Sequence, residues 1–297
     1  MVERGIILKN QREKLIQKME NTLRIGGRSE KTILNYSCAI KRFYSFFEKK
    51  DISKLKEEDI LKYIQKKYLN KSCSANTYNM NICAIKYFYS INFNIKLNDK
   101  LLPHSKLAKK LPKTINRNTF IKILNEEPNL KHKCWLLLGY CSGLRVTEVA
   151  QVKIEDINSL EHKLKVFGKG KKERFTLLAD ITIEYLRLYY KKYYMSQPEY
   201  LRKTSGYLFE GQNKTTHINS KTITNYFTAI KNKYDLDDEI CFHSLRHSFA
   251  SNFIEAGGEQ FVLKSMLGHS SISTTGIYVH IGRDFNNLKG VKYANKH

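Results

Sequence analysis

Four prolines and fifteen glycines in 297 residues are too few for a collagen-like or low-complexity chain. The six cysteines, Cys38, Cys73, Cys83, Cys134, Cys141 and Cys241, are scattered and form no Cys-x-x-Cys pair. That spacing speaks against a zinc ribbon or a disulfide scaffold and for reduced thiols in a cytoplasmic protein. No apolar run reaches the roughly 18–20 residues that span a bilayer; the Trp135–Leu138 stretch is a short piece of core. The first dozen residues mix Glu3, Arg4, Lys9 and Arg12 with one short apolar piece, unlike a secretory signal. Acidic residues are also scarce: 28 Asp and Glu face 52 Lys and Arg, a net charge of +24.

What remains is a globular chain with a 41% hydrophobic content, sufficient for a core, and a length that suits two domains. The positive excess is shared by both halves. Residues 1–112 hold 24 basic and 10 acidic residues, and the remainder holds 28 and 18. Two basic halves point to one long polyanion, because neutralised phosphates release counterions and drive binding. The plainer source of the excess is a composition rich in Lys, Asn and Ile.

The first half has a helical period. Tyr36, Ile40, Phe43 and Phe47 recur at steps of four, three and four, and Tyr78, Ile82, Ile85 and Tyr89 make a second such stripe. Weaker patterns over 8–23 and 56–68 complete a four-helix unit over residues 1–98. These aromatic stripes are expected to be core. Pro103 and Pro112, with Lys109 and Lys110 between them, mark a linker over 99–115 whose lysines would suit a phosphate backbone. Residues 116–297 mix helices with two β-prone runs, 163–167 and 174–178, around Gly168-Lys169-Gly170-Lys171-Lys172. The expected class is therefore mainly α with a small β-hairpin or sheet, an α+β chain.

Three stretches carry chemistry. Cys141-Ser-Gly-Leu-Arg-Val-Thr-Glu-Val149 places Arg145 after Gly143 in a turn that opens a helix. In Cys241-Phe-His-Ser-Leu-Arg-His-Ser-Phe-Ala-Ser251, His243 and Arg246 are three apart and share a helix face. Leu267-Gly-His is followed nine residues after His269 by Tyr278. Metal binding is not expected: His243 and His247 are four apart, but Ser244 stands where a zinc helix of the His-Glu-x-x-His type needs Glu. The glycine-lysine run also lacks the spacing of a phosphate-binding P-loop.

Gly-Leu-Arg-x-x-Glu, the Gly-Lys-Gly hairpin, His-x-Leu-Arg-His, Leu-Gly-His and Thr-Thr-x-x-Tyr-x-His, in this order, resemble the tyrosine recombinases or phage integrases, and especially their Xer-like members. The first half resembles the family's core-binding domain in size, helix pattern and charge. The resemblance implies a helical DNA core-binding domain, a mostly helical catalytic domain and a site-specific recombinase that needs no cofactor. It implies Tyr278 as nucleophile, forming a 3′-phosphotyrosyl link that a second strand's 5′-hydroxyl reverses through a Holliday junction. Arg145 and Arg246 match the family's phosphate-binding arginines, suited by their planar paired donors. His269 would donate to the same phosphate. His243 would take the tyrosine proton or hold the phosphate, and Lys169 would protonate the leaving 5′ oxygen. Glu148 would orient an arginine or histidine, and Lys171, Lys172, Arg174, Lys109 and Lys110 would contact DNA.

Residues 281–297, with Leu288, Val291 and Tyr293 as apolar anchors, match in length a tail that packs on a neighbouring protomer. The implied assembly is a homotetramer on two duplex recombination sites, with a paralogous recombinase or accessory protein as a further partner, in the cytoplasm with the nucleoid. Chromosome resolution and mobile-element integration or excision share this core. The alternatives are a type IB topoisomerase, which rejoins the original strand, and a catalytically silent DNA-binding protein on the same fold.

Overall fold

A computed structural model describes residues 2–48, 50–69, 73–105, 111–168, 173–196, 206–213 and 215–268, with side chains from Asn10 onward except at Leu69 and Tyr194. Contacts divide the chain into two compact units, Met1–Lys110 and Leu111–His297.

The first unit is built from helices α1 (Val2–Ile25), α2 (Glu30–Phe46), α3 (Glu57–Ile64) and α4 (Ala75–Phe93). Their starts are written in the local sequence. The Ser29 and Ser74 hydroxyls accept from the third residue beyond, Thr32 and Thr77, and so satisfy free N–H groups of α2 and α4. Glu57, Glu58 and Asp59 place negative charge in the first turn of α3, where the helix dipole favours it, and Asp59 accepts from the Lys56 N–H. The α2 and α4 stripes meet as expected: Ile40, Phe43, Ile82, Ile85 and Tyr89 are buried. Phe43 packs edge-on against Tyr63 and Tyr89 with ring centroids 5.1 and 6.2 Å away. The Tyr89 hydroxyl finds the Ile52 carbonyl at 2.7 Å, so this large ring is buried without stranding its polar end.

The first residues of the expected linker over 99–115 are attached to α4. Leu97 and Leu102 are buried, Lys86 donates to Asp99 and to the Leu102 carbonyl, and Tyr78 donates to the Pro103 carbonyl. This stretch is fastened to α4 through Ser105, whose N–H donates to Asn79. Proline interrupts the helix there without releasing the chain from the core. At the other end, Lys113 pairs with Asp237 and the Ile115 N–H donates to the buried Ser248 hydroxyl. Lys109 and Lys110 lie outside the described residues.

The second unit holds α5 (Arg117–Glu126), α6 (Leu130–Ser142), α7 (Val146–Ala150), strands β1 (Ile157–Asn158), β2 (Lys163–Phe167) and β3 (Glu173–Leu177), then α8 (Asp180–Tyr189), α9 (Ser220–Lys233), α10 (Phe242–Glu255) and α11 (Gln260–Leu267). The strands form an antiparallel sheet in the order β1-β2-β3, with Lys163 opposite Leu177 and Phe167 opposite Glu173. The expected hairpin thus gains a third strand. Ile157–Asn158 is too short to carry an alternating pattern. Every residue from Cys134 to Ser142 is buried, so α6 is the central helix, between α8 and α10. Gly139 permits the close approach of α10: a Cβ there would lie 2.8 Å from Leu245 Cδ1. All six cysteines are free thiols. Among the described residues no helix is long and apolar enough to cross a membrane.

Phe43 touches three other aromatic rings at the centre of the first unit. Phe43→Ala is expected to cost about 3–5 kcal/mol, as a large cavity does. Urea unfolding of the full chain, followed by helical circular dichroism, measures this cost.

Candidate active site

The site is built where three chain segments of the second unit converge on one carboxylate. Gly143 ends α6 with φ at 64°, its N–H turned back to the Leu138 carbonyl. A side chain at that position would be strained in φ and would strike the Phe249 ring. This sharp exit buries Leu144 and delivers Arg145 to the start of α7. Three residues on, Glu148 folds back: its Oε2 accepts the Arg145 backbone N–H at 2.7 Å and its Oε1 accepts an Arg145 guanidinium N–H at 2.8 Å.

Glu148 has further partners. Arg174 on β3 donates to both of its oxygens, at 2.8 and 2.7 Å. Arg246 on α10 lies 3.8 Å away. The side chains of Glu148, Arg174 and Arg246 are about 5% exposed, whereas that of Arg145 is 38% exposed. Burial alone would push the Glu148 carboxyl up, but donors from Arg174 and Arg145 outweigh it and hold the group below its usual value.

Arg246 makes two further bonds, to the Gly143 carbonyl at 2.7 Å and to the Leu267 carbonyl at the end of α11. Burial and then the neighbouring Arg145 pull it down to about 10, so it stays charged at neutral pH. His243 occupies the first turn of α10 and is exposed on one side, with the His247 ring edge-on at 4.7 Å. Its pKa is lowered, first by burial and then by His247, Arg246 and Arg145. It is therefore a neutral imidazole at pH 7, able to accept a proton. Three guanidiniums share one carboxylate, and the surplus of positive charge lies towards Arg145, the exposed member.

The structure thus brings together Arg145, Glu148, His243 and Arg246. Lys169, Lys171 and Lys172, between β2 and β3, and His269 and Tyr278, after α11, lie outside the described residues. Arg174 requires a correction. It was expected on the DNA-facing surface, but its guanidinium is buried and held by Glu148 and by the Met266 carbonyl at 2.6 Å. The signal was present in the strand alternation. In Glu173-Arg-Phe-Thr-Leu177, Arg174 and Thr176 face inward while Phe175 is 48% exposed. Sequence reasoning also missed the carbonyls of Gly143, Met266 and Leu267 as arginine acceptors, since any residue supplies one.

A charge cluster of this kind has a pH signature. Glu148→Gln leaves buried guanidiniums without their counter-charge and is expected to cost about 3–5 kcal/mol at pH 7. A carboxyl held below its unfolded value stabilises fully above that value, 4.5, and loses the contribution as pH falls through the depressed native value. The stability gap between wild type and Glu148→Gln is therefore expected to be constant near neutrality and to close in acid, which denaturant titrations at several pH values will measure.

Comparison with known proteins bears on what such a site does. Residues 113–283 match the model of the phage integrase family, and residues 15–99 match the N-terminal SAM-like domain of phage integrases. A tyrosine recombinase XerD from Staphylococcus saprophyticus is 32% identical over 270 residues, covering 86% of this chain and 90% of that protein. A XerD from Staphylococcus epidermidis is 29% identical over 282 residues, covering 91% and 94%. Among solved structures, a XerH site-specific recombinase bound to palindromic difH substrate in a post-cleavage complex aligns at a TM-score of 0.67 and 21% identity, over 85% of this chain and 77% of that one. A lambda integrase dimer bound to a COC′ core site aligns at 0.67 and 16%, over 87% and 95%. These two structures share the fold.

Proposed function

The chain belongs to the phage integrase family, the tyrosine recombinases that cleave and rejoin DNA, and on that premise we propose that it exchanges strands at a duplex recombination site with Tyr278 as nucleophile. One feature of the second unit carries the reading: Arg145 and Arg246 are held around Glu148 with positive charge to spare, beside a neutral His243.

The chemistry follows from charge. Attack on a phosphodiester builds negative charge on the nonbridging oxygens, and guanidiniums fixed in place before reaction stabilise it without reorganisation. Arg145 offers the exposed fork and Arg246 the buried one. The Tyr278 oxygen forms a bond to phosphorus, its proton passes to His243, and the bond to the 5′ oxygen breaks. Lys169 gives that oxygen its proton, and His269 donates a hydrogen bond to the phosphate. The 3′-phosphotyrosyl ester keeps the energy of the broken bond, so a 5′-hydroxyl from the partner duplex can reverse the same steps. Two such exchanges pass through a Holliday junction.

Lys171 and Lys172, and Lys109 and Lys110, suit the flanking phosphates. The full assembly in this reading is four copies on two sites, in the cytoplasm with the nucleoid. Similarity to the XerD recombinases supports a simple Xer-type machine, whether it resolves chromosomes or moves an element.

Tyr278→Phe is expected to bind DNA and form no covalent adduct. Denaturing gels of protein trapped on nicked genomic fragments test this, and adducts that persist in the variant would reassign the nucleophile. Lys169→Ala is expected to slow cleavage of an ordinary substrate by about 100-fold or more, in the range of general-acid catalysis. It should spare a substrate with sulfur at the 5′-bridging position, whose leaving group needs no proton. Equal loss on both substrates would remove Lys169 from that role.

A further inference from the structure

Arg174 is buried, and each of its three guanidinium nitrogens has a protein acceptor. Two of its N–H groups grip Glu148 and its Nε–H grips the Met266 carbonyl in the last turn of α11. Its stem runs against Gly268, where a Cβ would lie 3.2 Å from Arg174 Cδ. Glu148 in turn holds both the backbone and the guanidinium of Arg145. One side chain therefore joins the Arg145 turn to the end of α11, two residues before His269 in sequence, and it sits on the strand that begins at Glu173, four residues after Lys169.

Stability alone does not account for such a residue, because buried ion pairs replaced by packed apolar groups are often no less stable. Bulk attraction for DNA does not account for it either, since the side chain is 6% exposed and each of its three nitrogens already donates to a protein acceptor. We infer that Arg174 is a positioning residue for DNA cleavage: its planar fork fixes Glu148, and through Glu148 it aims the Arg145 guanidinium at the scissile phosphate while pinning α11. This rests on the reading of Arg145 as a phosphate-binding group. Arginine is required because two parallel donors set the plane of the carboxylate and a third reaches the helix end; lysine keeps the charge but offers a single point of attachment.

The test is single-turnover adduct formation by the full chain on a nicked duplex that carries the sequence recovered by trapping the wild type. Arg174→Lys is expected to lower the rate at saturating DNA by about 100-fold, the scale of a misplaced catalytic group. Affinity for the same duplex should stay within about threefold, since the residue neutralises no phosphate. On a duplex whose scissile phosphate is a methylphosphonate, which lacks one charged oxygen, the loss should shrink to less than about tenfold because less is asked of Arg145. Glu148→Gln combined with Arg174→Lys should be no slower than the slower single variant, as expected of groups that act as one unit. A wild-type rate for Arg174→Lys, an equal loss on both substrates, or additive losses would overturn the inference. If Arg174→Lys does not fold, the neutral pair Arg174→Gln with Glu148→Gln takes its place in the two-substrate comparison. Arg145→Ala separates the two levels. If it is slow while Arg174→Lys is not, the positioning role alone falls; if it cleaves at the wild-type rate, the reading of the site falls with it.

Discussion

The carboxylate of Glu148 is the constraint on which the second unit's site depends. Each of its oxygens accepts two hydrogen bonds, one from Arg145 and one from Arg174, which uses the four acceptor positions that a carboxylate offers. With Arg246 close by, three distant pieces of sequence are placed by one group: the turn after α6, the second arm of the hairpin and the first turns of α10. The geometry has little slack. Arg145 is tied at both backbone and guanidinium, and Arg174 at all three of its nitrogens.

Such an arrangement is costly to form. Removing one carboxylate and two guanidiniums from water carries a desolvation penalty of several kcal/mol per ion, which the mutual attraction offsets only when donors and acceptors are matched. That matching is visible here, and it explains why the carboxyl stays ionised although burial opposes it. It also leaves the cluster with more guanidiniums than carboxylates. An anion entering beside Arg145 meets a charge already held in place by Glu148, which is the preorganisation that electrostatic stabilisation of a transition state requires.

Much of this was legible in the sequence, and the reasons differ from element to element. The stripe from Tyr36 to Phe47 carries a helical period, and its inner members became the core of the first unit because a repeated apolar face has only one stable use. Gly143, Leu144, Arg145 and Glu148 were legible as a group through the Gly-Leu-Arg-x-x-Glu motif, and the structure gives the reason for each: a left-handed turn, a buried anchor and an i,i+3 pair. Arg174 was misread because a basic residue next to Lys171 and Lys172 looks like part of a surface patch; only the pairing register of β3 shows which way it faces. The attachments of Asp99–Ser105 to α4 were not legible because they run largely through backbone groups, which no residue identity reveals.

The two buried arginines divide the work along the same line. Arg246 uses two of its five N–H donors on the carbonyls of Gly143 and Leu267, both at helix ends where carbonyls lack partners and favour positive charge. Among the described residues its other donors are uncommitted, and it stands three residues from His243 on the same helix. Arg174 commits three of its donors, one from each nitrogen, to Glu148 and the end of α11. Arg174 thus has a protein acceptor at each of its three nitrogens and Arg246 at two of its three, although both are equally buried and both stand within reach of one carboxylate. Side-chain type alone does not assign a catalytic role in this cluster; the direction in which the donors point does.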